Sequence, residues 1–83
     1  MPVHMIEEQL RKHHLTEREI EVTLYWIMDY NYKQIAQRLF ISHFTARTII
    51  RNIHAKMGVK SKAALILLIF VEIIGMDGRD IKY

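Results

Sequence analysis

A chain of 83 residues holds one small domain, and the absence of cysteine excludes disulfide staples and thiolate zinc sites. Twelve Lys and Arg against nine Asp and Glu give a formal charge of +3, which by itself selects no partner. A core this small is marginal for a monomer, so a partner or a second copy is expected to add to it.

Helical periodicity recurs along the chain and two-residue alternation is rare, so the fold class is read as all-α. The opening Met1-Pro2-Val3-His4-Met5 has no basic stretch followed by an apolar one, so no signal peptide is read. From Val3 to His13, the residues Met5, Ile6, Gln9, Leu10 and His13 share one stripe of a short amphipathic helix that needs something to pack on. Thr16-Glu17-Arg18-Glu19 is a capping box, with Leu15 and Ile20 placed as a hydrophobic staple. The helix it starts is expected to run to Met28. Val22, Thr23, Tyr25 and Trp26 would face the core. Ile20, Leu24, Ile27 and Met28 form a second apolar strip for the N-terminal helix or a partner to cover. Asp29-Tyr30-Asn31 reads as a turn, Lys33–Leu39 as a short helix with Ile35, Ala36 and Leu39 inward, and Phe40-Ile41-Ser42 as a tight connection. Ser42 caps a helix from His43 to Met57 that ends at Gly58. Ser61 caps the last helix, Lys62 to Ile74, which Gly75 ends, and 76–83 reads as a frayed tail. The apolar run in that helix, Ala63–Ile74 broken only by Glu72, is twelve residues long; a bilayer span needs about 20, so no membrane partner is expected.

The charge distribution is more informative than its sum. Seven bases and no acid lie between Lys33 and Lys62, while the rest of the chain holds five bases and all nine acids, a formal −4. Such a split is the footprint of a polyanion binder. It falls on a short helix, a tight turn and a second helix, the helix-turn-helix layout. In the second of these helices Ala46, Ile50, Ile53 and Met57 repeat at core spacing. Arg47 and Arg51 stand four apart on the other side, flanked by Phe44 and Thr48. Arginines there can pair with guanine O6 and N7 in a major groove, and Thr48 can meet a thymine methyl or a phosphate. Lys33, Lys56, Lys60 and Lys62 sit at the surrounding helix ends and turns, better placed for phosphates than for bases, and Tyr32 and Ser42 can donate to phosphate. On the last helix Leu65, Ile66, Ile69 and Ile73 suit a buried face. Ala64, Leu67, Leu68 and Val71 form an opposite apolar strip, to be covered by a second copy or by the N-terminal helix; the two-fold interface is the reading taken.

These residues resemble the LuxR-type (GerE-like, NarL/FixJ-like) DNA-binding domain. The resemblance rests on Leu15-Thr16-Glu17-Arg18-Glu19, Lys33-Gln34-Ile35-Ala36, Leu39-Phe40-Ile41-Ser42, Thr45-Ala46-Arg47, Ile53, and the run from Lys56 to Ala63, in register without a gap from Leu15 to about Val71. It implies a four-helix domain, here with one extra short N-terminal helix, that binds DNA as a dimer through its fourth helix. It places base contacts on Arg47, Thr48 and Arg51, and phosphate contacts on Tyr32, Lys33, Ser42, Thr45, Lys56, Lys60 and Lys62. Four positions depart from the family pattern. Asp29 replaces a common helix-ending Gly, which leaves Asn31 to supply any left-handed residue. Tyr32 replaces a common Asn, Ala46 a Val and Ile49 a DNA-facing His.

The expected organisation is an N-terminal amphipathic helix in 1–14, the LuxR-type domain in 15–75 and a tail in 76–83. The expected function is sequence-specific binding of double-stranded DNA by a homodimer regulating bacterial transcription in the cytoplasm, with RNA polymerase or another regulator as a further partner. Domains of this family commonly follow a receiver or ligand-binding domain; 14 residues precede the match here, which leaves a stand-alone regulator and a C-terminal piece as alternatives. The competing function is a protein-interaction module that binds another regulator through its apolar strips with little DNA affinity. No Ser–His–Asp arrangement or Gly-rich phosphate loop is present and the five histidines are scattered apart from His13-His14, so no enzyme, cofactor or metal is expected.

Overall fold

The chain is described by a computed structural model over residues 3–75; the tail expected over 76–83 lies outside them. Five helices follow one another: α1 (Val3–Lys12), α2 (Glu17–Ile27), α3 (Tyr32–Leu39), α4 (His43–Met57) and α5 (Lys62–Ile73). There is no strand among the described residues, and none of these helices is long and apolar enough to cross a membrane.

Local chemistry starts and stops each element. Thr16 accepts from the Glu19 amide at 3.1 Å while the Glu19 carboxylate accepts from the Thr16 amide at 2.8 Å, so the predicted box forms in full. Asn31 and Gln34 make a second box at the start of α3. Ser42 and Ser61 cap α4 and α5 through the amides three residues on. Gly58 ends α4 at φ 70°. The left-handed residue after α2 is Asp29 itself, at φ 71°, and not Asn31, whose extended backbone is that of an N-cap. A short acidic side chain tolerates that region better than most.

The core is continuous from α1 to α5. Val22, Ile35, Ala46, Ile53 and Leu65 are fully or almost fully buried, and each large aliphatic among them contributes roughly 1.5–3 kcal/mol. Ala46, where the family more often has Val, is fully enclosed between α3 and α4. Thr23 is buried as well; its hydroxyl donates to the Glu19 carbonyl at 2.7 Å, so no polar atom is stranded there.

The strip of Ile20, Leu24, Ile27 and Met28 is read as covered by the N-terminal helix or by a partner; α1 lies chiefly along α5, burying Leu10, and meets α2 less, so that Ile20 is buried and Met28 is left exposed. His13 joins Glu72 across the α1–α5 contact at 2.8 Å. On α5 the buried residues are Leu65 and Ile69; Ile66, expected inside, is 42% exposed because the outer face of the helix turns through Ile66, Leu67, Phe70 and Ile74.

Glu19 links these elements. Besides closing the cap it meets Lys56 Nζ at 2.7 Å, and Lys56 also donates to the His14 carbonyl at 3.3 Å, tying the end of α4 to the α1–α2 turn. Burial pushes the Glu19 carboxyl up, but Lys56 and the Thr16 amide together outweigh it and hold the group below its ordinary value. Its contribution is therefore present above about pH 4.5 and is lost as the pH falls through the depressed value. Glu19→Ala should lower the urea unfolding free energy at pH 7 by about 1–2 kcal/mol. Glu19→Gln, which keeps the cap bond, should lose less and should flatten the acid limb of stability. An unchanged acid limb would show that the ion pair adds nothing.

Candidate nucleic-acid interface

The outward face of α4 is fixed by what its inward face buries. Ala46, Ile50, Ile53 and Met57 are all at most 5% exposed, and they sit against α2 and α3. Side chains on the opposite arc must then point to solvent. Arg47 and Arg51 do so, and neither meets a carboxylate among the described residues. They open onto a cleft of about 450 Å³, also lined by Tyr32, His54, Ala55 and Lys60, with no acidic side chain in its wall. Phe44, 73% exposed, lies one turn before Thr48 on the same arc.

Thr48 is placed differently from the two arginines. Its hydroxyl is buried and has no hydrogen-bond partner, so the group it can offer outward is its methyl. Of the two roles read for this residue, contact with a thymine methyl fits this rotamer and donation to a phosphate does not.

The side chains expected at phosphates divide into two groups. Lys33 and Lys60 are exposed and form no ion pair among the described residues. At the start of α4 the Ser42 hydroxyl accepts from the Thr45 amide and donates to Thr45 Oγ1 at 3.0 Å, which leaves the Thr45 proton free for an outside acceptor. Lys56 and Lys62, in contrast, have partners inside the protein. Lys56 bridges to Glu19, and Lys62 donates to Asp29 Oδ1 at 3.0 Å while its ammonium stands 4.1 Å from the centre of the Trp26 ring. Tyr32 stacks on Trp26 with ring centres 5.3 Å apart and planes 16° apart.

Trp26 and His54 are the members of this site that the sequence did not reveal. Trp26 reads as a core residue and is half-buried beside the cleft, and His54 stood among scattered histidines. Trp26 Nε1 donates to His54 Nε2 at 3.2 Å, which requires a neutral imidazole with its proton on Nδ1. Burial holds the His54 pKa below its ordinary 6.5. The unfolded chain then takes up the proton first, so this residue makes stability fall as the pH drops from about 6.5 through the lower folded value. His54→Gln keeps an acceptor for Trp26 without titrating. Its melting temperature should decline less than that of the wild type between pH 7 and pH 5, as read by circular dichroism. Parallel declines would remove His54 from the account.

Comparison with known proteins gives the family. Residues 13–69 match the family model of bacterial regulatory proteins, luxR family. Over 53 residues the chain is 42% identical to the spore germination protein GerE of Bacillus subtilis (strain 168), covering 64% of this chain and 72% of that protein. No solved structure gives a significant match. The helix-turn-helix of α3 and α4, its free arginine face and the match over 13–69 together place the chain in the luxR family of bacterial regulatory proteins, DNA-binding regulators of transcription.

Proposed function

We propose that this chain binds double-stranded DNA sequence-specifically as a homodimer, with α4 in the major groove, and regulates transcription in the bacterial cytoplasm. In this reading 15–75 is the DNA-binding domain and the helix in 1–14 buttresses it from the side of α5. Arg47 and Arg51 pair with guanine O6 and N7, and the Thr48 methyl packs on a thymine methyl. Lys33, Thr45 and Lys60 hold phosphates beside the groove, whereas the Ser42 proton is donated to Thr45 Oγ1 and Tyr32 offers its ring. Lys56 and Lys62 contribute less, because Lys56 is bonded to the buried Glu19 carboxylate and Lys62 rests on the Trp26 ring beside the exposed Asp29. The observation that carries the proposal is the pair of exposed, unpaired arginines on the arc of α4 opposite its buried strip, opening on a cleft free of carboxylates.

The dimer rests on α5. Leu67 is 62% exposed, and Ala64, Leu68 and Val71 beside it are half-buried. A two-fold pairing of that strip sets two α4 helices in successive major grooves, about 34 Å apart. Leu67 is the better position for a probe, because Leu68 also packs against the core. A second reading, an interaction module for RNA polymerase or another regulator, is favoured by an apolar groove of about 160 Å³ between Ile6, Ile27, Ile66 and Phe70.

Enrichment of fragments from bacterial genomic DNA at two salt concentrations tests the proposal and supplies an operator. Binding should weaken with salt at a log–log slope near −0.9 per neutralised phosphate, whereas a pure interaction module recovers no duplex. Arg47→Ala and Arg51→Ala should each lower operator affinity by about ten-fold or more while random DNA is bound nearly as before. Equal loss on both would reduce them to phosphate contacts. Leu67→Glu should shift sedimentation from dimer to monomer and weaken operator binding with it; an unchanged dimer would reject this face.

A further inference from the structure

Four side chains from four helices form one column at the edge of the cleft. Lys62, the first residue of α5, stands over the indole of Trp26 from α2. Tyr32, the first residue of α3, stacks on that indole. The guanidinium of Arg47 from α4 lies over the Tyr32 ring, with Cζ 5.7 Å from its centre. Trp26 is held at its edge as well, where Nε1 donates to His54 Nε2, and the Lys62 ammonium that rests on it also reaches the exposed Asp29. The ring of Tyr32 is therefore a supported platform, although it is 37% exposed.

We propose that Tyr32 is a positioning residue for Arg47, acting through the face of its ring and not through its hydroxyl. This rests on the reading of Arg47 as a base contact. A long arginine side chain loses much rotamer freedom when it is pinned to a guanine edge. A guanidinium already resting on an aromatic face is attracted there by the ring quadrupole and has given up part of that freedom before DNA arrives. The column also explains why aromatic bulk is placed at the start of α3, where the common family residue is a small amide. The ring needs the indole of Trp26 behind it, and Lys62 is drawn inward to complete the stack.

The test compares Tyr32→Phe, Tyr32→Leu and Tyr32→Ala with Arg47→Ala by fluorescence anisotropy. Three duplexes serve as probes: the operator recovered by genomic enrichment, the same operator with 7-deazaguanine at the base pair read by Arg47, and a random duplex. Tyr32→Phe should keep the wild-type preference for guanine over 7-deazaguanine. Tyr32→Leu and Tyr32→Ala should lose about two- to five-fold of it, the range of a solvent-exposed cation–π contact, with random-duplex affinity and its salt slope unchanged. The leucine variant keeps apolar bulk against Trp26, so its loss cannot be assigned to misfolding of the α2–α3 corner. If Tyr32→Phe is as impaired as Tyr32→Ala, the hydroxyl is the working group and the inference fails. It fails equally if Tyr32→Leu retains the full preference, or if operator and random duplex weaken together. Loss of preference in Arg47→Ala without loss in Tyr32→Ala overturns the positioning role alone. No loss in Arg47→Ala overturns the base contact and the positioning role with it.

Discussion

The burial of one strip on α4 sets the rest of the molecule. Ala46, Ile50, Ile53 and Met57 cannot be left in water, and α2 and α3 are the surfaces that take them in. Once that strip is seated, the rotation of α4 about its axis has no freedom left, and the direction of Arg47 and Arg51 follows. Ser42 and Gly58 fix where the helix begins and ends, so its register is set as well. The small side chain of Ala46 belongs to the same constraint, since it lets α3 and α4 approach closely at the turn between them.

The basic side chains around α4 are not equivalent, although all of them belong to one acid-free stretch of sequence. Arg38 leans on Tyr30, to whose hydroxyl it donates at 3.0 Å, and so braces the end of α2 against α3. Lys56 and Lys62 neutralise Glu19 and Asp29, which lie outside that stretch. Arg47, Arg51, Lys33 and Lys60 remain open. Part of the positive charge thus holds the domain together and part of it is left for a polyanion, a division that net charge cannot express.

Much of this was legible in the sequence because it depends on short-range chemistry. The caps at Thr16, Ser42 and Ser61, the stop at Gly58 and the whole extent of α4 follow from residues a few positions apart. The resemblance to LuxR-type domains was carried by residues in register, and the family match covers the same span. One miss was local: the Asn31–Gln34 box commits Asn31 to an extended N-cap and leaves to Asp29 the left-handed turn that a glycine commonly supplies. The others were long-range. The packing of α1 on α5 depends on which of two apolar strips lies nearer, which periodicity does not decide. The Trp26–His54 bond spans 28 positions, and the inward hydroxyl of Thr48 is a rotamer choice that spacing does not encode.

The uneven placement of charge also bears on encounter. Residues 3–29 carry six carboxylates against three basic side chains, whereas 33–62 carry only bases. The open cations Lys33, Arg47, Arg51 and Lys60 and the carboxylate-free cleft make the exposed face of α4 a positive patch. A polyanion is drawn to such a patch before any atom touches, within a screening distance of about 8 Å at physiological ionic strength. Collisions arrive pre-aligned, and the fraction that lead with α4 exceeds what random tumbling gives.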